Sequence, residues 1–255
     1  MKLFVATNES TINTPNVKML EVTVKSALKN TNFEVFVIFD GDKSKLNLPE
    51  EVTVIEHRHR CYDTFKNSNR CHGDDGCLRI ASSAFLRTEI PHIFENLGLN
   101  DEFCLYTDYD VMFLPGDYSD LELLKPEVFS ASPETNKKDW SYVNTGVMVK
   151  NLNFFKSNDE FMVDYINKNF ETLDVWDQTV YNNLYIEKLT RLPIEYNWKP
   201  YWGINKKAKI IHFHGPKPFV VTPIEVSNLY TGLTILLNRN LNSYDYYNKI
   251  FNEFL

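Results

Sequence analysis

Short apolar runs alternate with stretches of helical periodicity through the first half of the chain, and this alternation restricts the fold to an α/β layer structure. Residues 3–7 and 33–39 are apolar runs with the length and composition of strands. Between them, apolar residues recur at the three-to-four spacing of a helix that packs on a sheet, namely Val17, Leu20, Val24 and Leu28. We therefore predict an α/β domain in which strands and helices follow one another.

The same reasoning extends the pattern along the rest of the chain. Further strands are predicted at residues 52–55, 103–106, 128–131, 143–149 and 210–213, and helices at residues 78–97, 153–170 and 177–185. Pro91 predicts a break or kink in the first of these helices. No repeat or linker divides the sequence, so we predict one domain over residues 1–221 and a helical tail over residues 222–255 that packs on it.

The charge balance narrows the classes of function. The chain has 255 residues, of which 27 are basic and 34 acidic, and its formal net charge is −7. A nucleic-acid-binding protein usually has a basic patch or stripe, so nucleic acid is not expected as a partner. A nucleotide ligand is compatible with this charge, because one bound cation can neutralise its phosphates. The sequence has no signal-like N-terminus and no run of about 18 apolar residues, so a cytoplasmic protein without a transmembrane segment is expected.

Residues 56–76 form a polar segment without periodicity, which is typical of a functional or a mobile loop. Three cysteines and three histidines lie in or beside it: Cys61, Cys71, Cys77, His57, His59 and His72. They allow a structural zinc site, a Cys71–Cys77 disulfide or reduced thiols, and the absence of a C-x₂-C pair counts against zinc. Cys104 lies in an apolar strand and is expected in the core.

The triplet Asp108-Tyr109-Asp110 directly follows the predicted strand at 103–106. In an extended tripeptide both carboxylates point the same way, because side chains alternate with period two. Clustered carboxylate oxygens suit Mg²⁺ or Mn²⁺, and open α/β sheets bind ligands beyond the carboxyl ends of their strands. The triplet therefore indicates a metal site that binds a diphosphate, with a solvated acidic turn as the alternative.

A second cluster of polar residues follows the predicted strand at 210–213. His212 and His214 are two positions apart, so in a strand their side chains lie on the same face. They precede a turn that contains Gly215 and Lys217. A neutral imidazole can complete a carboxylate-bound metal site, and a lysine beside it can neutralise phosphate. The alternatives are a buried structural histidine and an ordinary surface lysine.

Four patterns occur in the order YTDYDV, NTGVMV, DQ and HFHGPKP, and together they resemble the retaining GT-A glycosyltransferases of family eight. That family includes glycogenin and bacterial lipopolysaccharide galactosyl- and glucosyltransferases. The resemblance implies a GT-A type, Rossmann-like nucleotide-binding domain with a mixed central sheet. It further implies metal-dependent transfer of a hexose from a UDP-sugar, with retention of the anomeric configuration and with Mn²⁺ or Mg²⁺ as cofactor.

The resemblance also implies roles for individual residues. Asp108, Asp110 and His212 correspond to the metal ligands, and Asp108 also lies near the ribose. Lys217 corresponds to the lysine on the donor phosphates, but it follows Gly215 by two residues where the family has three, which leaves His214 as a rival ligand. The remaining correspondences are Ala6, Thr7 and Asn8 at the uridine, Arg87 at the donor phosphate or sugar, Asn144, Asp177, Gln178 and Asn182 at the sugar, and Asn197 at the acceptor.

Other functions are compatible with parts of the sequence. An inverting GT-A enzyme needs a carboxylate base, for which Glu134, Asp139 and Asp174 are candidates. A nucleotide-binding regulatory module would use only the first strands, and a zinc-organised interaction module would rest on the cysteine segment. The expected partners are a nucleotide sugar and a glycan or glycolipid acceptor, as in polysaccharide biosynthesis. The aromatic tail is expected to pack on the domain or on a second copy in a homodimer, and contact with a membrane or a lipid-linked acceptor is the alternative.

Overall fold

A computed structural model describes residues 1–218 and 231–255. The strands in these ranges are β1 Lys2–Asn8, β2 Glu34–Asp40, β3 Thr53–Glu56, β4 Phe103–Thr107, β5 Val111–Phe113, β6 Phe129–Pro133, β7 Val143–Asn151, β8 Leu189–Arg191 and β9 Ile210–His212. The α-helices there are α1 Glu9–Ile12, α2 Val17–Asn30, α3 Tyr62–Asn67, α4 Asp75–Phe85, α5 Ile90–Asn96, α6 Ser119–Leu123, α7 Leu152–Ser157, α8 Asp159–Asn169, α9 Trp176–Tyr185, α10 Thr231–Asn238 and α11 Leu241–Asn252.

Seven of the strands form a mixed sheet in the order β3-β2-β1-β4-β7-β6-β8. Strand β1 is parallel to β2 and β4, whereas β7 is antiparallel to β4 and β6. A separate two-stranded sheet pairs β5 with β9, and in it Val111 lies opposite His212. The predicted α/β fold with a mixed central sheet is confirmed.

The central sheet is covered on both faces. On one face, Leu3 and Val5 of β1 pack in a fully buried cluster with Leu20 and Val24 of α2. The side chains of Phe4 and Ala6 alternate to the opposite face and pack in another cluster, which includes residues of α4 and α5. This two-sided burial explains why the first strands are continuous apolar runs.

Two predicted helices are divided in the structure. A 3₁₀ turn at Leu86–Glu89 separates α4 from α5, so the break comes before Pro91. Pro91 itself lies in the first turn of α5, where its missing N–H removes no intrahelical hydrogen bond. The helix predicted at 153–170 is interrupted at Asn158, which separates α7 from α8. The short strand β8 was not predicted from the sequence.

The cysteine segment contains a disulfide and is folded. Cys71 and Cys77 are joined, and Cys61 is a buried free thiol. The zinc interpretation is therefore wrong, because two of its thiols are bonded to each other. His57 and His59 also serve another purpose, since both contact the buried carboxylate of Glu89, at 2.8 and 3.3 Å.

Helices α10 and α11 lie in the predicted tail. Tyr247 and Phe251 of α11 are buried in one cluster with Met19, Trp198 and Phe213. The predicted domain boundary between residues 221 and 222 lies outside the described residues and stays a prediction. Over the described ranges, no helix has the length and apolar composition needed to cross a membrane.

Candidate active site

The two carboxylates after β4 converge on one histidine. Asp108, Tyr109 and Asp110 form a turn rather than the extended tripeptide expected from the sequence. The pairing of β5 with β9 brings His212 beside this turn. Its Nε2 atom lies 3.2 Å from Asp110 Oδ1 and 3.8 Å from Asp108 Oδ2. Tertiary pairing, and not side-chain alternation, therefore brings these groups together.

Three features of this cluster fit a divalent metal ion. One ligand atom from each of Asp108, Asp110 and His212 lies within 4.8 Å of the others. The Oδ1 atom of Asp110 is buried and has no hydrogen-bond partner. Gly146 leaves open the space between the ligands, since a Cβ there would overlap the His212 ring and lie 2.7 Å from Asp108 Oδ2. Two carboxylates and a neutral imidazole are a donor set that suits Mn²⁺.

Hydrogen bonds fix the orientation of the His212 ring. Its Nδ1 atom lies 2.9 Å from Asn197 Oδ1, so Nδ1–H donates there and the Nε2 lone pair faces the carboxylates. The Asn197 amide in turn donates to Asn144 Oδ1 at 3.0 Å, and the same oxygen accepts from Gly146 N at 3.1 Å. Burial lowers the pKa of His212, which favours the neutral form that can bind a metal.

Lys217 lies in the turn after β9 and forms an ion pair with Asp110. Its Nζ also donates to the carbonyl of Phe213 at 2.9 Å. Gly215 provides the turn with a φ of 89°, which favours glycine. Burial opposes the charge on Asp110, but the Lys217 ammonium outweighs burial, and the pKa of Asp110 lies below its ordinary value.

Arg87 connects the cluster of Asp108, Asp110 and His212 to the Asp177-Gln178 pair. Its guanidinium is buried and contacts Asp108 at 2.7 Å and Asp177 at 3.0 Å. It also donates to the carbonyl of Thr145 at 2.8 Å. Tyr106 contributes from β4, since its hydroxyl donates to Asp108 Oδ1 at 2.8 Å and its ring lies 4.5 Å from the guanidinium carbon. Arg87 thus lies between the two acidic groups.

Asp177 and Gln178 lie in the first turn of α9, beside the start of β7. Gln178 Oε1 accepts from Asn144 Nδ2 and Thr145 N, both at 3.1 Å, while its Nε2 atom is buried without a partner. Asn182 joins α9 to β7 through two hydrogen bonds with the Val143 backbone, at 2.8 and 2.9 Å. Burial raises the pKa of Asp177 to about 7, although Arg87 opposes this shift.

The end of β1 borders a cleft of about 320 Å³ next to the metal cluster. Its lining includes Ala6, Asn8, Arg87, Asp108 and Asp110. Asn8 also borders a wider cleft of about 780 Å³. Thr7 differs from its neighbours, because it is fully buried, bonds the Thr11 hydroxyl at 2.5 Å and lines neither cleft. A uridine contact through the Thr7 side chain does not agree with this geometry.

Comparisons with known proteins identify the fold that carries this candidate site. No protein-family model matches the chain, and no curated protein matches it. The galactosyltransferase LgtC, solved with donor and acceptor sugar analogs, superposes with a TM-score of 0.65 at 15% identity over 94% of this chain and 95% of that one. The fold is that of a GT-A glycosyltransferase. Mouse xyloside xylosyltransferase 1 is similar in fold, with a TM-score of 0.58 and 15% identity over 84% of this chain and 97% of that chain.

The glycosyltransferase GlyE of Streptococcus pneumoniae TIGR4 also shares this fold, with a TM-score of 0.63 and 16% identity. The alignment covers 93% of this chain and 63% of GlyE. At these identities the comparisons establish the fold alone. The metal cluster and the cleft lie where the GT-A sheet reverses from the parallel β4 to the antiparallel β7.

His214 has partners other than the two carboxylates of Asp108 and Asp110. Its Nε2 atom is 3.0 Å from Glu134 Oε1, and its Nδ1 atom is 3.0 Å from the Tyr201 hydroxyl. His214 is therefore engaged elsewhere, and the rival ligand assignment for it is wrong. Burial opposes the charge on Glu134, but His214 outweighs it and lowers the pKa of Glu134 to about 2. The other candidate bases, Asp139 and Asp174, are exposed.

Sequence reasoning missed two residues of the candidate site. These are Tyr106 and Tyr201, because a lone tyrosine has no sequence signal that separates a core residue from a site residue. Asn197 was assigned to the acceptor side, yet its side chain lies between His212 and Asn144. Its position shortly before the His-x-His strand is the signal that suggests such pairing.

Proposed function

We propose that this protein is a metal-dependent glycosyltransferase that transfers a hexose from a UDP-sugar to a hydroxyl group of a glycan or glycolipid, with retention. The observation that carries the proposal is the Asp108, Asp110 and His212 cluster beside the 320 Å³ cleft of a GT-A fold. Its buried, unpartnered Asp110 oxygen and the open space over Gly146 support a bound cation.

Asp108, Asp110 and His212 would hold Mn²⁺ or Mg²⁺. When bound, the ion supplies positive charge that stabilises the diphosphate leaving group. Lys217 partly neutralises Asp110 and lies close enough to the cluster to add a positively charged donor for a phosphate oxygen. Arg87 keeps Asp108 oriented through its 2.7 Å contact.

Asn144, Asp177 and Gln178 are assigned to the sugar. The unpartnered Nε2 atom of Gln178 can donate a hydrogen bond to a sugar hydroxyl or to the ring oxygen of the sugar. The Asp177 carboxylate already contacts Arg87 at 3.0 Å and Thr145 Oγ1 at 3.2 Å, so it is poorly suited to act as a nucleophile. In a retaining reaction without such a nucleophile, the acceptor hydroxyl attacks from the leaving-group side and its proton goes to a phosphate oxygen.

One observation favours a second candidate, an inverting glycosyltransferase with Glu134 as base. The Oε2 atom of Glu134 is buried and has no hydrogen-bond partner. In that mechanism the carboxylate takes the acceptor proton while the hydroxyl attacks opposite the leaving group. The anomeric configuration of the product, measured by NMR, separates this mechanism from retention.

The proposed function is tested with a panel of UDP-hexoses, scored by Mn²⁺-dependent release of UDP with and without glycan acceptors. We expect Asp110→Ala to lower turnover by at least about 100-fold, because it removes a metal ligand. Asp117→Ala is the matched control, since Asp117 is exposed and is not one of the three clustered ligands. A folded Asp110→Ala variant with wild-type turnover would contradict the metal-dependent mechanism.

A further inference from the structure

The residue directly before Asp177 has an unusual backbone conformation. Trp176 has a φ of 49°, and no other non-glycine residue in the described ranges has a positive φ. Bulky side chains rarely adopt this left-handed conformation, and it persists where the surrounding contacts fix it. Trp176 begins α9, so its backbone determines where the first turn of this helix places Asp177 and Gln178.

Arg70 supplies contacts that fix this turn. Its guanidinium carbon lies 3.7 Å from the centre of the Trp176 ring. The same group donates to the carbonyl of Leu173 at 2.6 Å and to that of Asp174 at 3.1 Å. One planar guanidinium thus contacts the whole turn that precedes Asp177, which a lysine ammonium cannot do.

Arg70 is itself held on both sides. The backbone N–H groups of Asn69 and Arg70 donate to the Glu171 carboxylate, at 2.8 and 3.2 Å. The next residue, Cys71, is bonded to Cys77 of α4. Helix α4 borders the cleft and leads to Arg87, so the disulfide connects the arginine to the framework of the site.

We propose that Arg70 is a positioning residue that keeps Asp177 and Gln178 in their catalytic orientation through Trp176, and that the Cys71–Cys77 disulfide holds Arg70 in place. The role in catalysis rests on the function proposed above, whereas the effect on the turn does not. Loss of the Arg70 contacts or of the Cys71–Cys77 disulfide loosens residues 174–182. It lowers turnover more than it lowers affinity for UDP, because the proposed function places Asp177 and Gln178 at the sugar.

Amide hydrogen exchange of residues 174–182 tests the effect on the turn without any assumption about activity. We expect Arg70→Lys to accelerate exchange about tenfold, which corresponds to about 1.4 kcal/mol. The matched control is Arg191→Lys, because Arg191 is an exposed arginine whose guanidinium lies 4.8 Å from the Trp140 ring. Exchange that is unchanged in Arg70→Lys, or equally accelerated in Arg191→Lys, would overturn the proposal.

The disulfide is tested in the wild-type chain, which avoids dependence on a variant that fails to fold. Dithiothreitol supplies two electrons and two protons, so that the S–S bond becomes two thiols and the reagent becomes a cyclic disulfide. We expect reduced protein and the Cys71→Ser/Cys77→Ser variant to show the same faster exchange over residues 174–182. Wild-type exchange in both would overturn the role of the disulfide.

The catalytic part is measured by kcat and by the Kd for UDP with Mn²⁺ present. We expect Arg70→Lys to lower kcat about tenfold and to leave the Kd for UDP within about twofold of the wild type. Equal loss of kcat and UDP affinity would indicate general damage and overturn the positioning role. If the wild type binds no UDP, the proposed function fails, while the exchange result still decides the effect of Arg70 on the turn.

Discussion

Replacing Gly146 with alanine gives the sharpest test of the metal cluster. Gly146 lies in β7, and its φ is not positive, so the backbone accepts an L side chain. The added Cβ would lie 2.7 Å from Asp108 Oδ2 and 2.9 Å from His212 Nδ1, and it would overlap Cε1 of the same ring. The variant therefore perturbs two ligands and removes neither.

The size of the effect follows from these distances. An ordinary contact begins at 3.4 Å, so Nδ1 has to move by at least 3.4 − 2.9 = 0.5 Å. The ring is fully enclosed and hydrogen-bonded to Asn197, and overpacking of this kind costs about 1–3 kcal/mol, with a fall in Tm of about 2–4 °C per kcal/mol. Metal–ligand distances tolerate only about 0.2 Å, so we expect the Mn²⁺ affinity to fall at least about 100-fold.

Titration calorimetry with Mn²⁺ and thermal unfolding measure the two effects separately. Gly116→Ala is the matched control, because its Cβ would meet only the flexible end of the Lys209 side chain, at 3.0 Å. We expect this control to bind Mn²⁺ like the wild type. Wild-type Mn²⁺ affinity in Gly146→Ala would refute the assignment of Asp108 and His212 as ligands.

Two further predictions concern single side chains. We expect His212→Ala to weaken Mn²⁺ binding much more than His214→Ala, because His214 pairs with Glu134 at 3.0 Å; calorimetry that gives the reverse order would contradict the ligand assignment. Burial raises the pKa of Asp177 to about 7, so from about pH 4 to 7 the folded protein retains a proton that the unfolded chain releases. The free energy of unfolding then falls as pH rises through this window, by up to about 1.4 kcal/mol per pH unit. We expect Asp177→Asn to remove this fall in urea unfolding with EDTA, and parallel pH curves for both proteins would contradict the assignment.

Much of the framework could be predicted from the sequence, because it depends on local patterns. The apolar runs locate β1, β2 and β4, since strands buried on both faces need apolar side chains at every position. Asp108 and Asp110 could be placed together because they follow β4 directly. The order of the four patterns then predicted the GT-A fold, which the structural comparisons confirm.

The resemblance implied that His212 joins Asp108 and Asp110, but the other contacts within the site could not be predicted, because they join residues far apart in sequence. Arg87 was expected to reach the donor, and nothing in its neighbourhood indicates that it lies between Asp108 and Asp177. The Cys71–Cys77 bond stayed one of three alternatives, since cysteine spacing does not fix the separation and direction of side chains. The helix breaks before Pro91 and at Asn158 depend on packing, and the periodicity of apolar residues does not predict them.

The pairing of β5 with β9 also has a consequence for how the protein is made. Lys217 and Asp110 are 107 positions apart, and all strands of the central sheet precede β9 in the chain. During synthesis from the N-terminus, the Asp110 carboxylate emerges long before Lys217, the lysine that neutralises it. A ribosome that stops short of residue 210 therefore releases a polypeptide with two of the three proposed metal ligands, and only translation past Lys217 completes the proposed site.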